Sequence, residues 1–148
     1  MDIWFECKAR YDREDKNGVA KKVTESYLLP AVSYTDAEAR FYAEMEEFLT
    51  GNMFTVHNIA QKRIHEVLYG DGGFWYKLTI AFLEIDPING KEGTTSKVYI
   101  VPSDNIQDSI MTLDAYLESM VVDYELLNVS KTNYIEVFRP ILDLRPES

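Results

Sequence analysis

The sequence predicts an α+β fold: two pseudo-symmetric β-β-α-β repeats forming a mostly antiparallel sheet, with two helices packed on one face. Three observations predict it. Residues 54–68, FTVHNIAQKRIHEVL, and 124–138, YELLNVSKTNYIEVF, align without a gap, placing Asn58 on Asn128, Glu66 on Glu136 and Val67 on Val137. An Asn-Gly pair follows an aromatic strand start in each half: Asn17-Gly18 after Trp4-Phe5, and Asn89-Gly90 after Trp75-Tyr76. A segment with one apolar helical stripe then follows each hairpin. A doubled unit of about seventy residues predicts a joint core and one surface built from matching strands of both halves.

The elements follow in order. Trp4 to Tyr11 alternates and is aromatic, which reads as a strand. Asp12 to Gly18 ends in Asn-Gly, a type I′ hairpin signal. Lys21 to Leu28 returns and stops near Pro30. Thr35-Asp36-Ala37-Glu38 has the form of a capping box for a helix to about Leu49. Its apolar residues Ala37, Phe41, Met45 and Phe48 step by four, four and three along one face. Thr50-Gly51-Asn52 closes that helix. Phe54 to Tyr69 is extended, with a shift of apolar parity that predicts a bulge or break near Ala60 to Lys62.

The second half repeats the order after a Gly70-Asp71-Gly72-Gly73 junction. Phe74 to Ile85 is a strand, Asp86 to Thr95 a longer hairpin loop, and Ser96 to Val101 the return, ended by Pro102. Ser103-Asp104 caps a helix to about Val121, whose Ile106, Ile110, Leu113, Leu117 and Met120 step by four, three, four and three. Tyr124 to Phe138 is the last long strand. The expectation is one domain over residues 1–148, made of repeats at about 3–69 and 74–138, with 139–148 as a loose tail.

Composition narrows the function. At 148 residues and 46% apolar, the chain can bury a core. No apolar run approaches the roughly 18–20 residues that span a bilayer, so no membrane partner is expected. Cys7 stands alone, and MDIWFECKARYD lacks the basic and apolar regions of a signal peptide, which together predict a cytoplasmic protein. The net charge of −10 argues against a general basic coat for duplex DNA. There is no Gly-rich phosphate loop, no GxSxG and no HExxH. His57 and His65 have no cysteine near them, and Cys7 lies on the apolar side of its strand. The expectation is a non-enzymatic protein with no catalytic residues, no metal site and no cofactor.

The charge is partitioned. The first helix holds Asp36, Glu38, Glu44, Glu46 and Glu47 against Arg40. The second holds Asp104, Asp108, Asp114 and Glu118, with no Lys or Arg between Lys97 and Lys131. The strands hold much of the base. Alternation puts Trp4, Glu6, Lys8 and Arg10 on one face of the first strand and Trp75, Lys77 and Thr79 on one face of its counterpart. Rings beside cations are what single-strand binders use: bases stack on the rings while Lys and Arg meet phosphates. The predicted nucleic-acid-binding set is Trp4 and Trp75 for stacking, with Lys8, Arg10, Lys21, Lys22, Lys62, Arg63 and Lys77 for phosphates. The rival reading is a protein partner docked on the acidic helices. A homo-oligomer is compatible with either. The bland reading of the same residues is an edge-of-core Trp and a solvated charged sheet face that deters aggregation.

The blocks WFECKARYD, KKVTESYLLPAVSYTDAEAR, FTVHNIAQKRIHEVL and FWYKLTIAFLEID resemble, in order over most of residues 3–138, a conserved domain family of unknown function found in gut Bacteroidetes and their phages, including crAss-like phages. The stretch VYIVPSDNIQDSIM departs from that pattern. The resemblance carries no settled activity. Its setting, a bacterial cell or a phage-infected host, fits a replication- or recombination-associated role on single-stranded DNA.

Overall fold

The computed structural model describes residues 3–49, 53–120 and 122–141. Its elements are β1 (Ile3–Glu14), β2 (Ala20–Ala31), α1 (Tyr34–Phe48), β3 (Phe54–Lys62), β4 (Glu66–Val67), β5 (Phe74–Ile85), β6 (Glu92–Ser103), α2 (Ile106–Glu118), β7 (Tyr124–Lys131) and β8 (Tyr134–Val137). The fold is α+β. The strands lie in two mixed sheets of four, ordered β3-β1-β2-β8 and β4-β6-β5-β7, where the sequence predicts one sheet. Among the described residues, no helix is long and apolar enough to cross a membrane.

The reason for two sheets is that both long extended segments break. β3 pairs antiparallel with β1, and after Arg63-Ile64-His65 the short β4 pairs parallel with β6. β7 pairs antiparallel with β5, and after Thr132-Asn133 β8 pairs parallel with β2. The chain therefore divides into two units, one containing residues up to 63 and from 133, the other containing residues 64–132. In the first unit, Ala37, Phe41 and Met45 of α1 pack with Phe5, Cys7 and Ala9 of β1 and with Tyr27 and Leu29 of β2. In the second, Leu113 and Leu117 of α2 pack with Tyr76, Leu78, Ile80 and Phe82 of β5 and with Tyr99 and Val101 of β6. Phe48, Ile106 and Met120, at the ends of the predicted stripes, are exposed.

The predicted parity shift is a bulge at one place and a break at another. Lys8 pairs with Asn58 and Ala9 with Val56, so His57 is the extra residue. In the second sheet Thr79 pairs with Asn128 and Ile80 with Leu126, leaving Leu127 extra. The hairpin loops are longer than a two-residue turn. Asp15 N–H donates to Val19 O at 2.9 Å and Asp86 N–H to Lys91 O at 2.9 Å, with Gly18 (φ 78°) and Gly90 (φ 70°) taking the left-handed residue of each loop.

β2 and β6 end one residue past Pro30 and Pro102, at Ala31 and Ser103, with each proline inside its strand. Leu28 O accepts from Phe138 N and Ile100 O from Leu68 N, so the polar groups of these residues point away from the hairpin partner. Two residues on, the proline nitrogens point the same way, and no bond to β1 or β5 is lost.

The helix caps also move. α1 is capped by Ser33, whose Oγ accepts from Asp36 N at 3.1 Å, while Asp36 Oδ2 accepts from Val32 N at 3.2 Å. Thr35 lies inside the helix. α2 is capped by Asn105, whose Oδ1 accepts from Asp108 N at 2.8 Å; Ser103 instead donates to Asn105 O at 3.0 Å. The predicted helix end at Thr50-Gly51-Asn52, and most of the predicted loose tail, lie outside the described residues. At the start of that tail, Arg139 O accepts from Arg40. Moving the caps has a direct consequence: Ser33→Ala is expected to lower stability by about 1 kcal/mol and Thr35→Ala by less than about 0.5 kcal/mol, measured by urea unfolding.

Candidate nucleic-acid interface

Strand alternation and register build one polar face. On β1, Trp4, Glu6, Lys8, Arg10 and Asp12 point away from α1, because Phe5, Cys7 and Ala9 point toward it. Opposite residues of an antiparallel pair share a face. β2 therefore adds Pro30, Leu28, Ser26, Thr24 and Lys22, and β3 adds Lys62, Ala60 and Asn58. Four predicted contacts, Lys8, Arg10, Lys22 and Lys62, come together here.

Their surroundings differ. Lys62 Nζ lies 3.4 Å from Glu6 Oε1, so that end is close to neutral. Arg10 is held in place: its Nε donates to Thr24 Oγ1 at 3.1 Å, and its Nη2 lies 3.4 Å from His57 Nε2 of the bulge. Lys8 is half-buried, opposite Ser26 and Asn58. Lys22 is exposed, opposite Asp12. Among the described residues, Lys8, Arg10 and Lys22 form no ion pair with a carboxylate. The hairpin end of this face thus presents three cations and the Asp12 carboxylate, with Thr24, Asn58 and His57 between them, an arrangement with a net positive charge that can bind anionic oxygens.

The other predicted residues fall elsewhere. The expectation that Trp4 offers a stacking platform fails, because it is 7% exposed and sits opposite Pro30 at the buried end of the face. At that end Leu28 and Val137 are buried too. Burial pushes the Tyr134 hydroxyl up to about 12, with Glu6 adding to the shift. Lys21 pairs across with Arg13, one residue out of phase with Lys22, and so lies on the α1 side, where Asp15 is 3.8 Å away. Arg63 is exposed in the link after β3.

In the second unit, Trp75 is half-buried and edge-on to Tyr69, with ring centres 6.2 Å apart. Lys77 is exposed, and its cross-strand neighbours are Ile100 and Ser130, so among the described residues no cation stands opposite it. Lys97 and Lys131 lie over the rings of Phe82 and Phe74 instead. A basic and aromatic face is therefore not repeated in the second sheet.

Cys7 is buried under α1, and burial, with a smaller push from Glu6, raises its thiol to about 12. A thiol so placed stays protonated and inert at neutral pH. Sequence reasoning missed His57 and Thr24 as parts of the cationic cluster. The signal for His57 is the parity shift, since an odd residue at a bulge is turned toward a neighbouring strand's side chains.

The profile of a family described as "Domain of unknown function (DUF4494)" matches residues 3–141. No curated protein and no solved structure matches the chain. The burial of Trp4 can be read in solution. In a Trp75→Phe protein, where Trp4 is the single indole, acrylamide is expected to quench the native fluorescence several-fold less than it quenches the urea-unfolded chain. Equal quenching in both states would place Trp4 at the surface.

Proposed function

The chain belongs to the family of this domain of unknown function, and we propose that it is a non-enzymatic protein that binds single-stranded nucleic acid through the hairpin end of its first sheet. The observation that carries the reading is the gathering of Lys8, Arg10 and Lys22 on one sheet face with no ion-pair partner among the described residues, in a chain of net charge −10. At physiological salt, screening over about 8 Å confines each charge to its neighbourhood, so a local cluster attracts phosphates although the whole molecule is acidic. The contact is mainly to phosphates. With Trp4 buried and Trp75 on the second sheet, this face offers neither of the two predicted stacking residues. The resemblance of the chain to domains of Bacteroidetes and their phages supports a replication- or recombination-associated setting in the cytoplasm.

A second reading has its own observation. Asp104, Asp108, Asp114 and Glu118 on and before α2 are all exposed, and α2 contains no Lys or Arg. Such a surface favours a basic protein partner, including a host factor inhibited by docking.

Fluorescence anisotropy with labelled oligo-dT separates the two. Three phosphate contacts predict a log–log salt slope of about −2 for a single strand. Arg10→Glu and Lys22→Glu are each expected to weaken binding by at least about tenfold, as loss of phosphate contacts requires. Asp108→Lys and Glu118→Lys should leave the affinity within about twofold, because the α2 surface is not part of the contact. No binding by folded protein at low salt would overturn the nucleic-acid reading and leave the acidic helix face as the site.

A further inference from the structure

The outer edge of β2 is only part covered. β8 pairs with it at Ser26, Tyr27 and Leu28, and among the described residues 20–25 have β1 as their sole strand neighbour. A bare edge is a template for another strand. Its outward groups can be assigned. Leu28 O accepts from Phe138 N at 2.8 Å, and β2 keeps unbroken register with β1, so Thr24 and Lys22 also present N–H and C=O outward. Lys21, Val23 and Glu25 turn theirs toward β1.

The stretch Lys21-Lys22-Val23-Thr24-Glu25 is complementary to itself. In an antiparallel ladder, opposite residues share a face, and a twofold axis normal to the sheet can pass beside a residue paired with its own copy. With the axis at Val23, Lys21 meets Glu25 of the second copy, and Glu25 meets Lys21 of the second copy. Lys22 and Thr24 meet on the other face, and their outward groups form four backbone hydrogen bonds. The two Val23 residues form the close, non-hydrogen-bonded pair, with Cα atoms about 4.5 Å apart. Moving the axis to Lys22 sets lysine against lysine. Moving it to Thr24 sets Glu25 against Val23 and Lys22 against Ser26, so the Lys21–Glu25 pairs are lost. In β6, residues Glu92 to Lys97 have only β5 as strand neighbour among the described residues, but no such register exists there, because axes at Thr94 or Thr95 set Glu92 against Ser96 or Gly93 against Lys97.

We propose that the chain forms a symmetric dimer in solution by antiparallel pairing of residues 21–25 of β2 with the same residues of a second copy, about an axis at Val23. The acceptor is suited to the exchange. The Glu25 side chain is 13% exposed, accepts a hydrogen bond from the Tyr11 hydroxyl, and has Arg13 at 3.9 Å as its nearest cation; burial raises its pKa, so an added ammonium group on its second oxygen favours its charged form. Lys21 gives up only an exposed contact with Asp15 at 3.8 Å, the kind of pair that contributes little. The small contact makes the dimer weak and reversible. This inference goes beyond the nucleic-acid reading and does not rest on it. If both hold, pairing of Lys22 with Thr24 carries the cationic face across the axis into the second copy.

The test needs no nucleic acid. Val23→Cys places two thiols at a Cα separation a disulfide accepts. In a glutathione redox buffer it is expected to form a covalent dimer at least about tenfold faster than Thr94→Cys on the β6 edge, as the proximity argument requires. Sedimentation equilibrium of the unmodified protein is expected to show a reversible dimer at about 100 µM and above. Lys21→Glu, which keeps an exposed position and sets Glu against Glu25, should weaken it at least about tenfold. Unmodified protein that stays monomeric at millimolar concentration, equal crosslinking of the two cysteine variants, or a dimer indifferent to Lys21→Glu would each overturn the proposal.

Discussion

The structure depends on where two long extended segments stop pairing. Each central hairpin, β1–β2 and β5–β6, has strand edges whose amides and carbonyls need partners. β3 and β7 cover one edge of each hairpin. The other edge is covered, in part, only because the chain breaks after Lys62 and after Lys131 and continues as β4 and β8. Backbone bonds flank these continuations: His65 N to Val98 O, Leu68 N to Ile100 O, and Phe138 N to Leu28 O, each at 2.8 Å. The same arrangement places the candidate site. β8 brings Tyr134 and Val137 beside Ser26 and Leu28, and that end of the face is buried. The hairpin end, with Lys8, Arg10 and Lys22, is left to water.

Much of the local structure was legible because it follows from periodicity. The spacing of Ala37, Phe41 and Met45 marks α1, the Asn-Gly pairs mark the hairpin loops, and the broken alternation between Val56 and Ile64 marks irregularity in β3. What was not legible depends on partners distant in sequence. Glu66-Val67 is too short to show any period, so nothing local says that it leaves β1 and joins β6. Pro30 and Pro102 read as strand ends until it is known that their nitrogens face away from β1 and β5. Ser33-x-x-Asp36 and Thr35-x-x-Glu38 both fit a capping pattern, and the conformation at Ser33 (φ −157°, ψ 168°) decides between them.

The candidate site divides along the same line. Alternation alone puts Lys8 and Arg10 on one face. It cannot rank Lys21 against Lys22, since a one-residue slip exchanges their faces and the hairpin loop sets the register. Trp4 shows the limit of parity: it shares the polar face, yet lies at the end that the fold buries. Nothing near His57 in sequence marks it as a functional residue, since no metal or catalytic partner stands beside it. Its contact with Arg10 arises from a bulge, which leaves an odd residue with no cross-strand partner. The net charge is a poor guide here, since the two helices hold acids against Arg40 alone while Lys8, Arg10 and Lys22 gather on one sheet face.

On the proposed reading, one sheet face, not the helices, meets nucleic acid. The most direct test is an amide ¹H–¹⁵N correlation spectrum recorded while unlabelled oligo-dT is added to labelled protein. The account predicts shifts concentrated at Lys8, Arg10, Lys22, Thr24, His57 and Asn58, with α1 and α2 unmoved. Shifts confined to Asp108, Asp114 and Glu118, or no shifts at saturating oligonucleotide, would contradict it.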